Sequence, residues 1–600
     1  MILQALNEHY QRLLEDPDSG VAPPGYSPAK VSHAIVLDVN GNVVDVWQIA
    51  EKQGARSIPR ILMVPEQVKR TSGISANILC DNASYVLGIE RSKQDKIVVA
   101  KDKFNNFREK NLELLIDSPS NEQQALRKFL ETWLPEQAMS HPILSPALEE
   151  IVSGSNLVFQ LDGAPSFIHE NTEIKKSWSN MLQENGSEER GQCLVTGAFE
   201  PIARVHPSIK GIVGAQTSGA AIVSYNADAF TSYGKSQSYN APVSQKVAFA
   251  YSTALNYLIA SKTNRVRLAD TTMVFWAEKK GGQVEEKILA WCLDPVEPSE
   301  EETEEAPRRI DPVAARQAKT ILERVRNGLP TGDQNFDTNT RCYLLGLAPN
   351  AARISVRFWQ VSNFGELLQR IAQHYEDTRI AGLEHLGGIV SPWRGLKALA
   401  VQEDSKNIPP LLGGQLLKSI LSGQLYPQTL FNLALNRCRT GGEHGGVNTI
   451  RASIIKGFLK RKYRLQGQKQ EEEMVSVSLN EKNPNAAYQL GRLFSLLEKV
   501  QRDALGTQIN ATIRDRYFGA ASATPGSVFP LLMRLSRHHI SKSNYGSIMD
   551  KKIQDVVNQL DAFPAHLNLE EQGQFILGYY HQNQANYQKA DSAENNSENK

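Results

Sequence analysis

Cysteine is scarce in this 600-residue chain, and long apolar runs are missing from it. The five cysteines (Cys80, Cys193, Cys292, Cys342, Cys438) are scattered, with no Cys-x-x-Cys spacing and no close histidine. That excludes a zinc ribbon and a disulfide framework, and it fits a reducing cytoplasm. No stretch approaches the ~18 consecutive apolar residues that a membrane span needs. The opening MILQALNEHYQRLLEDPDSG has no basic segment ahead of an apolar one, so neither a membrane protein nor a secreted one is expected. Net charge is lacking too: 66 Lys+Arg stand against 65 Asp+Glu. Taken alone, that balance argues against a dedicated polyanion binder. The average hides local bias, however. Between Arg437 and Lys469 there are nine Lys/Arg and one acid, Glu443, while Glu297–Glu305 holds six Glu and no base.

Catalytic signatures are equally sparse. Gly234-Lys235-Ser236 ends like a phosphate loop, but Ala229 stands where the first glycine belongs and no apolar strand leads in. Gly211, Gly214 and Gly219 lack dinucleotide-binding spacing. His169-Glu170 has no second histidine one helical turn on, and there is neither an adjacent His-Asp pair nor a Gly-x-Ser-x-Gly elbow. His538-His539 would point about 100° apart on a helix and chelate poorly, so a role at a helix C-terminus is the better reading. The expectation is a protein without catalytic residues, metal or cofactor, one that binds or scaffolds.

What is present reads as an α+β, multidomain chain: an N-terminal mixed α/β unit with locally paired strands, followed by a C-terminal all-α helical bundle. Ile2, Leu3, Leu6, Tyr10, Leu13 and Leu14 make one face of an opening helix. The β-rich runs on either side of Asn40-Gly41 predict a hairpin with a type I′ turn. Further strands are expected at Arg60–Val64, Gln192–Val195, Ile202–His206, Thr271–Ala277 and Arg353–Trp359. Helices are expected at Glu122–Trp133, Ser244–Lys262, Ala314–Gly328, Gly365–Tyr375, Gly414–Ser422, Gln428–Arg439 and Val447–Arg464. From Met474 onward only helical spacing appears. The expected domains are 1–295, an acidic Pro-rich linker 296–312, a mainly helical middle region 313–473, and the bundle 474–600.

Three segments combine cations, glycine and small polar side chains in a way that suits nucleic acid. In the first, Lys69, Arg70 and Ser72 beside Gly73 can meet a phosphate and Asn77 a base edge, with a solvated turn as the alternative. The second runs from Lys210 through Gln216, Thr217, Ser218 and Asn226 to Tyr233, Lys235 and Asn240. It is dense in amide and hydroxyl groups with interleaved tyrosines, the alternative being a structural loop. The third is the Val447–Arg464 helix, where Arg451, Lys456, Lys460 and Arg464 form a candidate phosphate track. A merely solvated charged face is its alternative. Just before Met474 stands Gln468-Lys-Gln-Glu-Glu-Glu473, whose Lys and Glu codons are almost all purine. In a bacterium such a run resembles a ribosome-binding site, so Met474 is a candidate internal start for a separate small protein.

Several long stretches carry a resemblance: MILQALNEHYQRL at the start, TSGISANILCDNASYVLG (71–88), CLVTGAFEPIARVHPSIKGIVGAQTSGAAIVSYNADAFTSYG (193–234), YNAPVSQKVAFAYSTALNYL (239–258) and LLGLAPNAARISVRFWQV (344–361). Together they resemble the large subunit of the type I-C CRISPR Cascade complex, the Dvulg-subtype CRISPR-associated family. The resemblance implies a non-enzymatic subunit that reads the short duplex motif flanking the target, helps open the duplex and docks a helicase–nuclease. The implied partners are guide RNA at its 5′ handle, target double-stranded DNA, backbone subunits and a small subunit made from the same gene. A metal-dependent nuclease, or an assembly scaffold that never touches DNA, are the competing classes.

Overall fold

The computed structural model describes residues 1–53, 56–68, 70, 73–116, 120–184, 189–294, 311–327, 336–441, 445–506 and 511–597. Residues 296–310 of the expected acidic linker lie outside that set. The architecture is α+β, with small antiparallel sheets in the N-terminal half and a long run of helices toward the C-terminus. Two compact units are distinguished: 1–207 with 223–255, and 208–222 with 256–600.

In the first unit the strand Tyr26–Leu37 organises everything else. Its neighbours are Val43–Gln48 and Arg60–Pro65, both antiparallel, and Asn156–Leu161, parallel. From Val31 to Leu37 every residue is buried, as a strand covered on both faces requires. The helices Lys101–Leu114 and Asn121–Thr132 pack Phe104, Phe107, Phe129 and Leu130 against Ile35, Leu37 and Phe159. The hairpin forms as expected, but its turn is not type I′. Only Gly41 takes a positive φ, of +83°. The Asp38 carboxylate accepts hydrogen bonds from the backbone N–H groups of Asn40 and Asn42, both at 2.8 Å. A loop of this kind, a type I turn closed by a left-handed glycine, offsets the strand register, which shifts between Val36 and Leu37. Gly41 is also forced by packing, since a Cβ there would lie 2.5 Å from the Phe129 backbone nitrogen. Ile202–His206 makes no strand, only a single bridge from Ile202 to Ser244.

The second unit is built on a four-stranded antiparallel sheet in the order Arg265–Leu268, Thr271–Ala277, Arg341–Asn350, Arg353–Asn363. This pairing corrects the expected boundary at 295: strands on either side of it belong to one sheet. One contiguous apolar core runs from Val266 through Phe358, Phe431 and Phe458 to Tyr580. Among the described residues no separate core marks the expected divisions at 312 and 473. Within the C-terminal helices, Ala486–Leu505 and Leu569–Ser597 come into backbone contact. Gly491 and Gly578 permit this, since a Cβ at either would fall 1.9 or 2.0 Å from a carbonyl oxygen of the facing helix. Around that seam Phe494, Phe518, Phe529, Phe575 and Tyr579 form an edge-to-face aromatic cluster, each ring touching others at 5.0–6.5 Å.

Candidate nucleic-acid interface

Of the first candidate segment, Lys69 and Ser72 lie outside the described residues. Arg70 is committed to the protein itself: it pairs with the fully buried Asp81, donates to the Ser75 carbonyl at 2.6 Å, and lies 4.0 Å above the Tyr85 ring. Asn77 is 4 % exposed. Its Oδ1 accepts the Val68 N–H and its Nδ2 donates to Gln67 Oε1, both at 2.8 Å. The expected base contact by Asn77 is therefore corrected; the side chain stitches a loop closed.

The second segment divides between the two units. In the unit that holds 208–222, Ile209 and Ala220 bond to each other in both directions at 2.9 Å and close a loop. The neck needs Gly219, at φ +96°, because a Cβ there would sit 2.8 Å from Ser208 Cβ. Three struts fix the base. Asn256 Oδ1 accepts the Lys210 N–H at 2.8 Å, and Arg267 donates to the Gly211 carbonyl at 3.3 Å. Ala221 joins the edge of the sheet beside Arg353, donating to the Ala352 carbonyl at 3.0 Å and accepting the Ile354 N–H at 2.9 Å. Lys210, Gln216, Thr217 and Ser218 are all exposed beyond this base. A rigid neck carrying an amide, two hydroxyls and a cation can hold hydrogen-bonding groups against a base edge with little ordering cost.

In the other unit, Asn226 is exposed, and 232–235 form a tight turn. Tyr233 (φ +52°) and Gly234 (φ +68°) are both left-handed, the geometry of a type I′ turn and an uncommon one for tyrosine. Asn240 supports it from behind: Oδ1 accepts the Ser232 N–H at 2.8 Å, and Nδ2 donates to the Lys235 and Gln237 carbonyls at 2.9 Å. Asn240 is thus a brace whose amide is already used, while Tyr233 stands 98 % exposed at the tip beside exposed Lys235. Gly234-Lys235-Ser236 belongs to this turn and not to a phosphate loop.

The third candidate is overturned for most of its residues. The helix Thr449–Leu465 turns its cations inward. Arg451, 1 % exposed, donates to the carbonyls of Ala398 (2.9 Å) and Gly446 (2.7 Å) and pairs with Glu403 at 3.1 Å. Lys456 has no exposed surface and donates to the carbonyl of Asp377 at 2.9 Å, at the C-terminal end of the helix Phe364–Thr378. Burial, with Lys460 nearby, lowers its pKa to about 7. Arg464 holds the buried Asp377 carboxylate through two bonds of 2.7 and 2.8 Å, and Arg461 reaches the same group at 2.9 Å. Burial alone would raise the Asp377 pKa; the Arg464 hydrogen bonds and the Arg461 charge outweigh it and hold the carboxyl below its usual range. Lys460 alone of the four candidates keeps a half-exposed ammonium without an ion pair among the described residues. The physical reason for the correction is that carbonyls and carboxylates of neighbouring helices, far off in sequence, claim the charges first.

No group of three His, Cys, Asp or Glu side chains is placed to hold a metal among the described residues. His169 is 1 % exposed and stacked on Phe167, while His539 lies in the last turn of the helix Pro525–Lys542. No helix among the described residues is long and apolar enough to cross a membrane.

Comparison with known families gives one finding. The family described as CRISPR-associated protein (Cas_Csd1) matches residues 6–587. The chain belongs to that family and is a CRISPR-associated Cascade subunit. No curated protein matches the sequence.

Proposed function

We propose that this member of the Cas_Csd1 family is the non-catalytic large subunit of a type I-C surveillance complex, and that it reads the duplex motif flanking the target through the loop closed between Ile209 and Ala220. Guide pairing specifies most of the target in such a system, leaving a short flanking motif to protein side chains. The observation that carries the reading is the contrast within this loop: a base tied to Asn256, Arg267 and the sheet edge, and an exposed tip of Gln216, Thr217 and Ser218. Gln amides pair bidentately with adenine, hydroxyls accept or donate to either base of a pair, and Lys210 supplies a phosphate contact. In the other unit, and as a separate contact, the exposed Tyr233 offers an apolar surface to an unstacked base. On this reading the chain works in the cytoplasm with guide RNA at its 5′ handle, backbone subunits, the recruited helicase–nuclease and a small subunit started at Met474.

The test uses the assembled complex and duplexes with and without the flanking motif. Q216A and S218A are expected to reduce the preference for the motif, each about 5- to 150-fold for a lost base contact worth about 1–3 kcal/mol. K210A is expected to weaken both duplexes alike and to lower the salt slope by about one. If Q216A, T217A and S218A all leave the preference intact, the loop is not the reader.

A further inference from the structure

The segment 400–411 joins the helices Pro392–Leu399 and Leu412–Ser422. Within it Gln402 (φ +59°) and Glu403 (φ +55°) are both left-handed, and the Asp404 N–H bonds back to the Val401 carbonyl at 3.2 Å. That is the geometry of a type I′ turn, normally left to Gly, Asn and Asp. Such strain persists only where the surroundings over-determine it. What the turn achieves is delivery of one carboxylate. Glu403 Oε1 lies 3.1 Å from Arg451 Nη2, at the solvent boundary, with its own side chain 39 % exposed. Arg451 has other cations beside it. Gly446 (φ +84°) brings three arginines together: its N–H donates to the Arg437 carbonyl at 2.9 Å, and its carbonyl accepts Arg451 Nη1 at 2.7 Å. A Cβ on it would lie 1.9 Å from Arg514 Nη2. Burial first, then the Arg437 and Arg514 charges, lower the Arg451 pKa, and Glu403 opposes them. The half-buried Arg514 has no ion pair among the described residues.

We propose that Arg437, Arg451 and Arg514 form a binding site for a small phosphate-like dianion, and that Glu403 is its resident competitor, held in place by the strained turn. Guanidinium forks match the oxygens of such an anion. A phosphate dianion carries about −1.5 to −2 charge near neutral pH and attracts the three arginines more strongly than one carboxylate does. A phosphodiester carries a single charge and gains nothing over the group it would displace. Arg451 is 1 % exposed, so only an anion that takes the place of the Glu403 carboxylate reaches it. Once Glu403 is displaced, the turn at 402–403 loses the contact that holds it, and the segment 400–411 loosens. The site is thus also a latch: anion in, segment released.

The experiment titrates inorganic phosphate into the purified full chain, against chloride at equal ionic strength, and reads the apparent Kd from the rise in melting temperature. R514Q is expected to weaken phosphate about tenfold, as for one lost charge-assisted hydrogen bond. E403Q is expected to do the opposite and tighten phosphate about five- to tenfold, a gain that misfolding cannot produce. Trypsin cleavage after the exposed Lys406 is expected to quicken about fivefold when phosphate binds the parent, and to be as fast in E403Q without phosphate. An R514Q chain that melts like the parent and keeps its phosphate Kd overturns the site. Unchanged or weaker binding by E403Q overturns the role of Glu403, and an unchanged cleavage rate overturns the latch. Displacement of phosphate by an oligonucleotide without terminal phosphates, at equal phosphorus concentration, overturns the dianion assignment. The flanking-motif preference of the assembled complex is expected to survive R514Q, so failure here and failure of the Gln216 reading are separable.

Discussion

Two basic helices in one unit use their charge in opposite ways. Thr449–Leu465 places Arg451, Lys456 and Arg461 at 1 % exposure or less, each engaged by a carbonyl or carboxylate. Pro525–Lys542 keeps Arg534 and Arg537 in solvent with no partner among the described residues. Both read as amphipathic in sequence, and the first carries more cations. The difference is in what surrounds them: the first is packed by the helices Phe364–Thr378, Pro392–Leu399 and Gln428–Arg439, the first two offering carbonyls near their C-terminal ends, whereas the second has one face uncovered. Density of positive charge along a sequence therefore does not show which cations are left unneutralised by the fold.

The largest effect that can break this comparison lies at Asp377. D377A leaves the buried Arg461 without its carboxylate, and breaking a buried pair costs about 3–5 kcal/mol. Urea unfolding of the full chain measures it, and a loss below about 1 kcal/mol would show that the inward helix is not held by charge. Next is the piece that would begin at Met474. All five rings of its aromatic cluster come from within the piece, Phe494 to Tyr579, so residues 474–600 expressed alone are expected to unfold cooperatively. They lose what covers them, though: Gly573 packs under Phe431 and Ile455, Tyr580 donates to the Ala381 carbonyl at 2.7 Å, and Glu570 pairs with Lys462. The piece is expected to self-associate or to bind apolar dye, checked by sedimentation; a tight monomer would contradict that.

A smaller effect follows from Lys456, at about 7 in the folded chain against about 10.4 when unfolded. Between those values the unfolded chain carries a proton that the folded chain has shed, so stability rises with pH across that window. K456M removes the group and is expected to flatten the rise between about pH 7 and about pH 10, read as the difference between parent and variant in denaturant midpoint. A parallel pair of curves would place the Lys456 proton elsewhere. The smallest effect sharpens the other side: R534Q/R537Q is expected to change stability by no more than about 0.5 kcal/mol, as for exposed residues with no partner.

Much of the fold was legible. The opening helix, the hairpin at Asn40-Gly41, the strand Arg353–Asn363 and the helices after it follow from local periodicity. Several strands escaped, and two of them are long. Asn156–Leu161 and Arg341–Asn350 are almost wholly buried, so they lack polar–apolar alternation, and Gly346 and Pro349 interrupt the second. The type I′ turn was misjudged because Asn40 uses Asp38 as an acceptor instead of adopting positive φ. At the candidate interface, exposure of Gln216 and Tyr233 agrees with the composition of their loops. Asn77, Arg451 and Lys456 were misplaced because most of their partners lie 9 to 80 residues away and no local pattern names them.

The proposed contact between the 209–220 loop and the flanking duplex is tested directly by photo-crosslinking. A photo-reactive residue in place of Thr217, in the assembled complex on target duplex, is predicted to attach to DNA within the flanking motif. Complex that binds its target fully yet crosslinks at this position only to protein would contradict the account.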